Sequence, residues 1–173
     1  RFVAVKIISP SMSIVADAMA HAKALARAEH PNVVRVYSIT RVIDPKTHVE
    51  ADAIVMEFIE GMTLHEHLSK NLLSAAQVEQ YGHELIEGVM YIHSQGLAHG
   101  DLHGGNVMVG AGGIKILDIL YGDSLKILGT TTQDQRRSQD LNGLRFLLSD
   151  LIRHSALDPC EVAEFQNALG STD

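Results

Sequence analysis

The first third of the chain alternates apolar and polar positions in short β-rich runs. Residues 1–8, 33–43 and 49–58 are rich in β-branched and aromatic side chains, which predicts three strands. Asp44-Pro45 predicts the turn between the second strand and the third. Residues 14–29 are rich in alanine and place apolar side chains at helical spacing, so this segment predicts a helix.

Helical periodicity dominates the rest of the chain. Thr63 is followed three residues later by a glutamate and Ser74 by a glutamine. This is the spacing of a capping box, so two helices are predicted to begin there. The second is the longer one and is predicted to end at Gly96, because glycine is common just past the last helical residue.

The C-terminal half begins with a predicted hairpin. Two short apolar runs at 107–109 and 114–117 flank a glycine-rich turn, a pattern typical of paired strands. Residues 121–138 are polar and are predicted to be irregular. Two further helices are predicted, one over 140–153 and one that begins after Asp158, where a proline occupies the first helical position.

The distribution of these elements predicts an α+β fold with two lobes. A small antiparallel sheet with one helix, residues 1–60, is followed by a mainly helical lobe, residues 61–173. The content of 46% hydrophobic and 20% charged residues is ordinary for a globular protein. Composition therefore adds no reason to expect a fibrous or disordered chain.

Charge and cysteine content narrow the possible functions. The net charge of −7 argues against a general binder of nucleic acid or of anionic membranes. No apolar run is long enough to cross a membrane, so membrane insertion is not expected. Cys160 is the only cysteine, which excludes an intramolecular disulfide and fits the cytoplasmic location that we expect.

The most informative stretch lies between the long helix and the hairpin. It reads His99-Gly100-Asp101-Leu102-His103-Gly104-Gly105-Asn106 and, within residues 91–118, resembles the catalytic core of protein kinases. The resemblance extends in the family's order to three other segments: Val3-Ala4-Val5-Lys6, His30-Pro31-Asn32-Val33-Val34 and Val55-Met56-Glu57-Phe58-Ile59-Glu60-Gly61. It implies a two-lobed, protein-kinase-like fold of a divergent, bacterial-type serine/threonine kinase, truncated before the Lys6 strand.

The resemblance also implies a set of groups for ATP and Mg2+. Phosphoryl transfer requires that the phosphates be held, their charge be neutralised and the acceptor hydroxyl be aligned. Asp101 matches the catalytic base, and Lys6 matches the cation that binds the α and β phosphates. Asn106 and Asp118 match the metal ligands, and their amide and carboxylate oxygens suit a hard cation.

Further positions match the nucleotide-base site and the scaffold. Ala4 and Met108 match the pair that sandwiches adenine, Met56 matches the gatekeeper, and Glu57 and Ile59 match the hinge residues that offer backbone groups. Scaffold positions are implied as well: a packed column of Leu25, Val36, His99 and Ile119, and a helix aspartate that holds the catalytic loop, Asp140.

Some parts of the family's pattern are missing. No glycine occurs before Gly61, so the glycine-rich loop that covers the phosphates is absent from this sequence. The position of the glutamate that normally pairs with the lysine is His21, which cannot supply an anion. We predict that Asp17, one helical turn earlier, pairs with Lys6 instead; Glu29, at the end of the helix, is a poorer candidate.

The catalytic loop and the segment after it also depart from the pattern. Gly100 replaces the arginine that binds a phosphorylated activation loop, so no such switch is expected. His103 replaces the lysine that touches the transferred phosphate. We expect its ring to donate a hydrogen bond there, more strongly when protonated. Asp118-Ile119-Leu120 replaces Asp-Phe-Gly, and Asp140 follows Asp118 by only 22 positions, so the platform for a peptide substrate is predicted to be reduced.

Three functions are compatible with these observations. The first is ATP- and Mg2+-dependent phosphotransfer to a serine or threonine hydroxyl of a protein substrate. The second is phosphotransfer to a small molecule, as in aminoglycoside and choline kinases, which the His-Gly-Asp-Leu-His loop resembles. The third is a pseudokinase that acts as a binding or scaffolding module. Because Lys6, Asp101, Asn106 and Asp118 are all present, the protein kinase is the function that the sequence favours.

Overall fold

The structure, a computed structural model, describes residues 2–7, 29–119 and 130–170. Three antiparallel strands form its first sheet, in the order β1-β3-β2. They are β1 (Val3–Ile7), β2 (Val36–Ile43) and β3 (Glu50–Glu57). The three predicted strands are therefore confirmed, whereas the helix predicted at 14–29 lies outside the described residues apart from Glu29.

A second three-stranded sheet contains the predicted hairpin. It has the order β4-β5-β6, with β4 (Gly61–Thr63), β5 (Val107–Gly110) and β6 (Gly113–Ile116). A short 3-10 helix, Gly104–Asn106, leads directly into β5. The sequence did not predict β4, because a three-residue strand that begins with glycine carries almost no periodic signal.

Four helices complete the described part of the chain. They are α1 (Leu64–Lys70), α2 (Ala75–Ser94), α3 (Thr130–Arg153) and α4 (Pro159–Gly170). Both predicted capping boxes are present with both of their hydrogen bonds. Together with the antiparallel sheets, these helices confirm the predicted α+β class. No helix among the described residues is long and apolar enough to cross a membrane.

One predicted boundary was wrong. Helix α3 begins at Thr130, whereas the sequence predicted an irregular segment up to residue 138 and a helix only from Asp140. The described side chains at 134–139 are exposed or half-buried. Because this part of the helix does not pack into the core, it has no apolar stripe, and its polar sequence resembles that of a loop.

Helices α1–α3 and the hairpin share the larger hydrophobic core, whereas the first sheet has a smaller cluster. In the described residues the larger core includes fully buried side chains from every one of these elements, among them Leu64, Leu85, Ile92, Ile114, Ile116 and Leu151. The smaller cluster consists of Val34, Val36, Ile54 and Met56. The site described below therefore lies between a large core and a small one.

The segment before β2 is fastened to the hairpin. The Asn32 carbonyl accepts the Ile116 N–H at 2.8 Å, and the Val34 N–H donates to the Ile116 carbonyl at 2.9 Å. The Asn32 side-chain amide donates to the Ile114 carbonyl at 3.2 Å. Gly88 of α2 permits this close approach, because a Cβ there would lie 2.8 Å from Ile116 and 3.2 Å from the Asn32 carbonyl oxygen. The start of the first sheet is thus held against the second.

Candidate active site

The backbone of the loop at 99–106 is held by a buried carboxylate. Asp140 of α3 is 0% exposed. Its two oxygens accept the N–H groups of His99 at 2.8 Å and Gly100 at 2.7 Å. The ring of His93 contacts the same carboxylate at 2.8 Å. Burial would raise the pKa of Asp140, but the hydrogen bonds from His93, Gly100 and His99 outweigh it and leave the pKa below its usual value.

His99 connects the loop to the end of the hairpin. Its Nε2 lies 2.7 Å from the Leu117 carbonyl, and its Nδ1 accepts the Asp101 N–H at 3.2 Å. A carbonyl can only accept, so Nε2 carries the proton and the ring is neutral. Burial lowers the pKa of His99, against the opposing effects of the Leu117 carbonyl and the Asp140 carboxylate, which favours the same neutral form.

Asp101 presents its carboxylate to solvent at the tip of this anchored backbone. Its side chain is 73% exposed. The Asn106 side-chain amide donates to the Asp101 carbonyl at 2.9 Å and lies 3.4 Å from its carboxylate. These bonds use the nitrogen of Asn106 and leave its amide oxygen available as a ligand. Asp101 and Asn106, two predicted site residues, are therefore brought together.

His103 lies beside Asp101 and does not extend freely into solvent. Its Nδ1 accepts the Gly105 N–H at 3.0 Å, so the proton of the neutral ring is on Nε2. Nε2 is 3.5 Å from the Asp101 carboxylate. The ring is thus oriented by the loop itself and places an N–H donor next to the predicted base.

Lys6 and Asp118 meet across 112 residues of sequence. The Lys6 ammonium lies 2.6 Å from the Asp118 carboxylate, and both side chains are partly exposed, at 32% and 23%. Asp118 has a φ of 62°, a left-handed conformation that aspartate tolerates better than most residues. Strained backbone of this kind persists where neighbouring contacts fix it, and it is concentrated at functional sites. The contact predicted between Lys6 and Asp17 falls on residues outside the described ranges.

Three of the residues that match the nucleotide-base site, Ala4, Met56 and Ile59, also converge. Ala4 pairs with Met56 across β1 and β3, and Ala4, Ile59 and Leu117 all pack against the small cluster that contains Met56. Met108 is half-buried on β5. Of the packed column, Val36, His99 and Ile119 are buried, and Leu25 lies outside the described residues.

Strand β6 and the residue after it, Leu117, contact several parts of this arrangement, and the sequence did not predict these contacts. The Ile114 N–H donates to Glu84 of α2 at 2.7 Å. The Lys115 ammonium contacts Glu57 at 2.8 Å. The Leu117 N–H donates to the Asn106 carbonyl at 2.8 Å. No local signal indicated Glu84 or Lys115, because each looks like an ordinary exposed charge in its own element and its partner is distant in sequence.

Comparisons with known proteins agree with this geometry. The family model described as "Protein kinase domain" matches residues 1–137. Sperm motility kinase 2B of Mus musculus is 32% identical over 126 residues, which are 72% of this chain and 25% of that protein. CBL-interacting serine/threonine-protein kinase 8 of Arabidopsis thaliana is 36% identical over 108 residues, which are 59% of this chain and 23% of that protein.

A solved structure has the same fold. The crystal structure of Rad53 residues 1–466 in complex with AMP-PNP superposes with a TM-score of 0.70 and 18% identity, covering 99% of this chain and 50% of that one. The chain spans about a quarter of the length of the curated relatives named above. Those relatives are eukaryotic, so the bacterial-type assignment stays a prediction. On the strength of the family match, the chain belongs to the protein kinase domain family.

Proposed function

We propose that the protein transfers the γ-phosphoryl group of ATP, with Mg2+, to a serine or threonine hydroxyl of a protein substrate in the cytoplasm. The observation that supports this most directly is the Lys6–Asp118 ion pair. It brings the predicted phosphate-binding cation against a predicted metal ligand, although the two lie 112 positions apart in the sequence.

The donor set fits Mg2+. Asn106 keeps its amide oxygen free of its own hydrogen bonds, and Asp118 supplies a carboxylate. These are hard oxygen ligands, and magnesium sites of this kind complete their coordination with phosphate oxygens and water. When bound, Mg2+ would neutralise the negative charge of the phosphates. Lys6 would bind phosphate oxygens as a point cation.

The nucleotide base would occupy the apolar space between the two sheets. Ala4 and Met108 would contact its two faces, and Met56 would close the inner end. Glu57 and Ile59 would offer backbone groups to its edge. The convergence of Ala4, Met56 and Ile59 on one small cluster supports this assignment.

The chemistry would centre on Asp101. Its carboxylate would accept the proton of the acceptor hydroxyl, while the hydroxyl oxygen forms a bond to the γ-phosphorus and the bond to the leaving oxygen of ADP breaks. Asn106 would hold the Asp101 backbone and carboxylate in place. His103 would orient Asp101 through its Nε2–H and could donate to the phosphoryl group as it moves.

The proposal is tested with the full-length protein and the substitution Asp101→Asn. We expect kcat to fall by about 10² to 10⁴, the usual contribution of a general base, while the Kd of Mg-ATP changes by less than about twofold. Asp52→Asn is the matched control, since Asp52 is on β3 and pairs with Arg41. Asp118→Asn should instead weaken ATP binding only when Mg2+ is present.

The molecule that receives the phosphoryl group distinguishes the candidate functions. A serine/threonine peptide library and a panel of small alcohols, aminoglycosides and choline included, should be offered side by side. Phosphate transfer to peptides supports the proposal. Transfer to small alcohols alone would favour the small-molecule phosphotransferase. Wild-type protein that binds no Mg-ATP would favour the pseudokinase and overturn the proposal.

A further inference from the structure

An ion pair joins the predicted hinge to the hairpin. The Lys115 ammonium of β6 lies 2.8 Å from the Glu57 carboxylate at the end of β3. The two side chains are 28% and 21% exposed, so water screens the pair only in part. The contact spans 58 residues of sequence and links the first sheet to the second.

Glu57 is also locked to the segment before β2. The oxygen that contacts Lys115 accepts the Arg35 N–H at 2.8 Å, and the Glu57 N–H donates to the Arg35 carbonyl at 2.9 Å. The Arg35 guanidinium lies elsewhere, against Glu29 and over the ring of Tyr37. Lys115 therefore supplies a cation to Glu57 from the second sheet.

Lys115 faces the predicted base site. It stands directly opposite Met108 in the register of β5 and β6, and side chains directly opposite each other lie on the same face of a sheet, about 5 Å apart. Its neighbours Ile114 and Ile116 are fully buried on the other face. The ion pair thus runs beside Met108, which would contact the base, and ends on Glu57, whose backbone would contact its edge.

We propose that Lys115 is a positioning residue for the nucleotide: through the Glu57 carboxylate it fixes the hinge backbone beside Met108. This inference rests on the proposed function, because it assigns Lys115 to the same ATP site. Lys115 itself need not touch the nucleotide. Its role is to keep Glu57 in one position, so that the hinge is ordered before the base arrives.

The first measurement is the Kd of Mg-ATP for the full-length protein with Lys115→Met. We expect Kd to rise by about three- to fivefold, the range of a partly exposed ion pair, with a smaller change in kcat. Lys115→Arg keeps a cation and should restore most of the affinity. Lys46→Met, in the turn between β2 and β3, removes the same charge and should leave Kd unchanged.

A double-mutant cycle shows whether Lys115 acts through Glu57. Glu57→Gln keeps an acceptor for the Arg35 N–H but removes the negative charge. If the two residues act as a pair, Lys115→Met should add little to the effect of Glu57→Gln. Additive effects would overturn the assignment to Glu57.

Amide exchange reports on the hinge without any nucleotide. The N–H groups of Arg35 and Glu57 should exchange faster in Lys115→Met, whereas the Ile116 N–H, which bonds to Asn32, should keep its rate. If the wild-type protein binds Mg-ATP, but Lys115→Met changes neither the Kd of Mg-ATP nor the amide exchange rates, this inference alone is overturned. Absence of Mg-ATP binding by the wild-type protein would overturn the proposed function and this inference with it.

Discussion

Asp101 and Asp140 belong to the same site but lie in opposite environments. Asp101 has a 73% exposed side chain at the tip of the loop. Asp140 is fully buried beneath the loop and accepts hydrogen bonds from His93, His99 and Gly100. One carboxylate is therefore open to solvent, as the proposed base must be, and the other holds the backbone of the loop.

The difference shows how the fold fixes the backbone of the loop while it leaves one carboxylate accessible. The two oxygens of Asp140 accept hydrogen bonds from donors within the protein, those of His93, His99 and Gly100. Asp101 has its backbone N–H and carbonyl bonded to His99 and Asn106, while its carboxylate stays accessible. A group that must exchange a proton with a substrate needs this combination of fixed backbone and open side chain.

The same substitution should therefore lower the stability of the protein strongly at Asp140 and little at Asp101. In Asp140→Asn the amide nitrogen cannot accept, so the buried hydrogen bond from the His99 N–H or the partly buried hydrogen bond from the Gly100 N–H is lost. We expect the free energy of unfolding to fall by about 2 to 4 kcal/mol. Asp101→Asn should change it by less than about 0.5 kcal/mol, because that side chain is exposed. Urea denaturation of both variants measures the contrast, and equal losses at the two positions would refute it.

Local signals in the sequence were enough to predict most of the described elements. The capping boxes at Thr63 and Ser74, the glycine turn of the hairpin and Pro159 each depend on residues a few positions apart. The start of α3 at Thr130 was missed because its polar first turns are exposed. Neither periodicity nor propensity distinguishes such a segment from a loop.

The site was predicted by resemblance, and the contacts inside it were not. Asp101, Asn106 and Asp118 were identified from their order in a known motif, but the Lys6–Asp118 contact depends on how the first sheet is placed relative to the end of the hairpin. Lys115 was missed for the same reason, because the sequence around a single lysine in a strand does not indicate which distant residue it contacts. Long-range pairing is fixed by tertiary packing, which a single sequence does not display.

The turn of the hairpin that follows the loop should be sensitive to substitution at one glycine and tolerant at its neighbour. Gly113 has a φ of 99°, and a Cβ there would lie 2.5 Å from the Glu84 carboxylate. Gly112 has open space. We expect Gly113→Ala to lower the free energy of unfolding by about 1 to 2 kcal/mol and Gly112→Ala by less than about 0.5 kcal/mol. Thermal or urea unfolding checks this, and similar losses in both would show that Glu84 does not define the turn.

The smallest expected effect is a pH dependence of the free energy of unfolding that arises from His99. Its pKa is lowered in the folded protein, mainly by burial. As pH falls below about 6.5, the unfolded chain takes up a proton that the folded chain refuses, so stability falls until the folded pKa is reached. The slope from this residue is at most about 1.4 kcal/mol per pH unit.

The contribution of His99 can be isolated by comparing unfolding between pH 7.5 and about 5 in the wild-type protein and in His99→Gln. Glutamine can donate to the Leu117 carbonyl but does not titrate, so the slope should become shallower. His65→Gln, at an exposed position of α1, is the control and should keep more of the wild-type slope. A protonated His99 would turn an N–H toward the Asp101 N–H, which is now its donor. If His99→Gln leaves the slope of stability against pH unchanged, His99 does not join the loop to the hairpin in its neutral form.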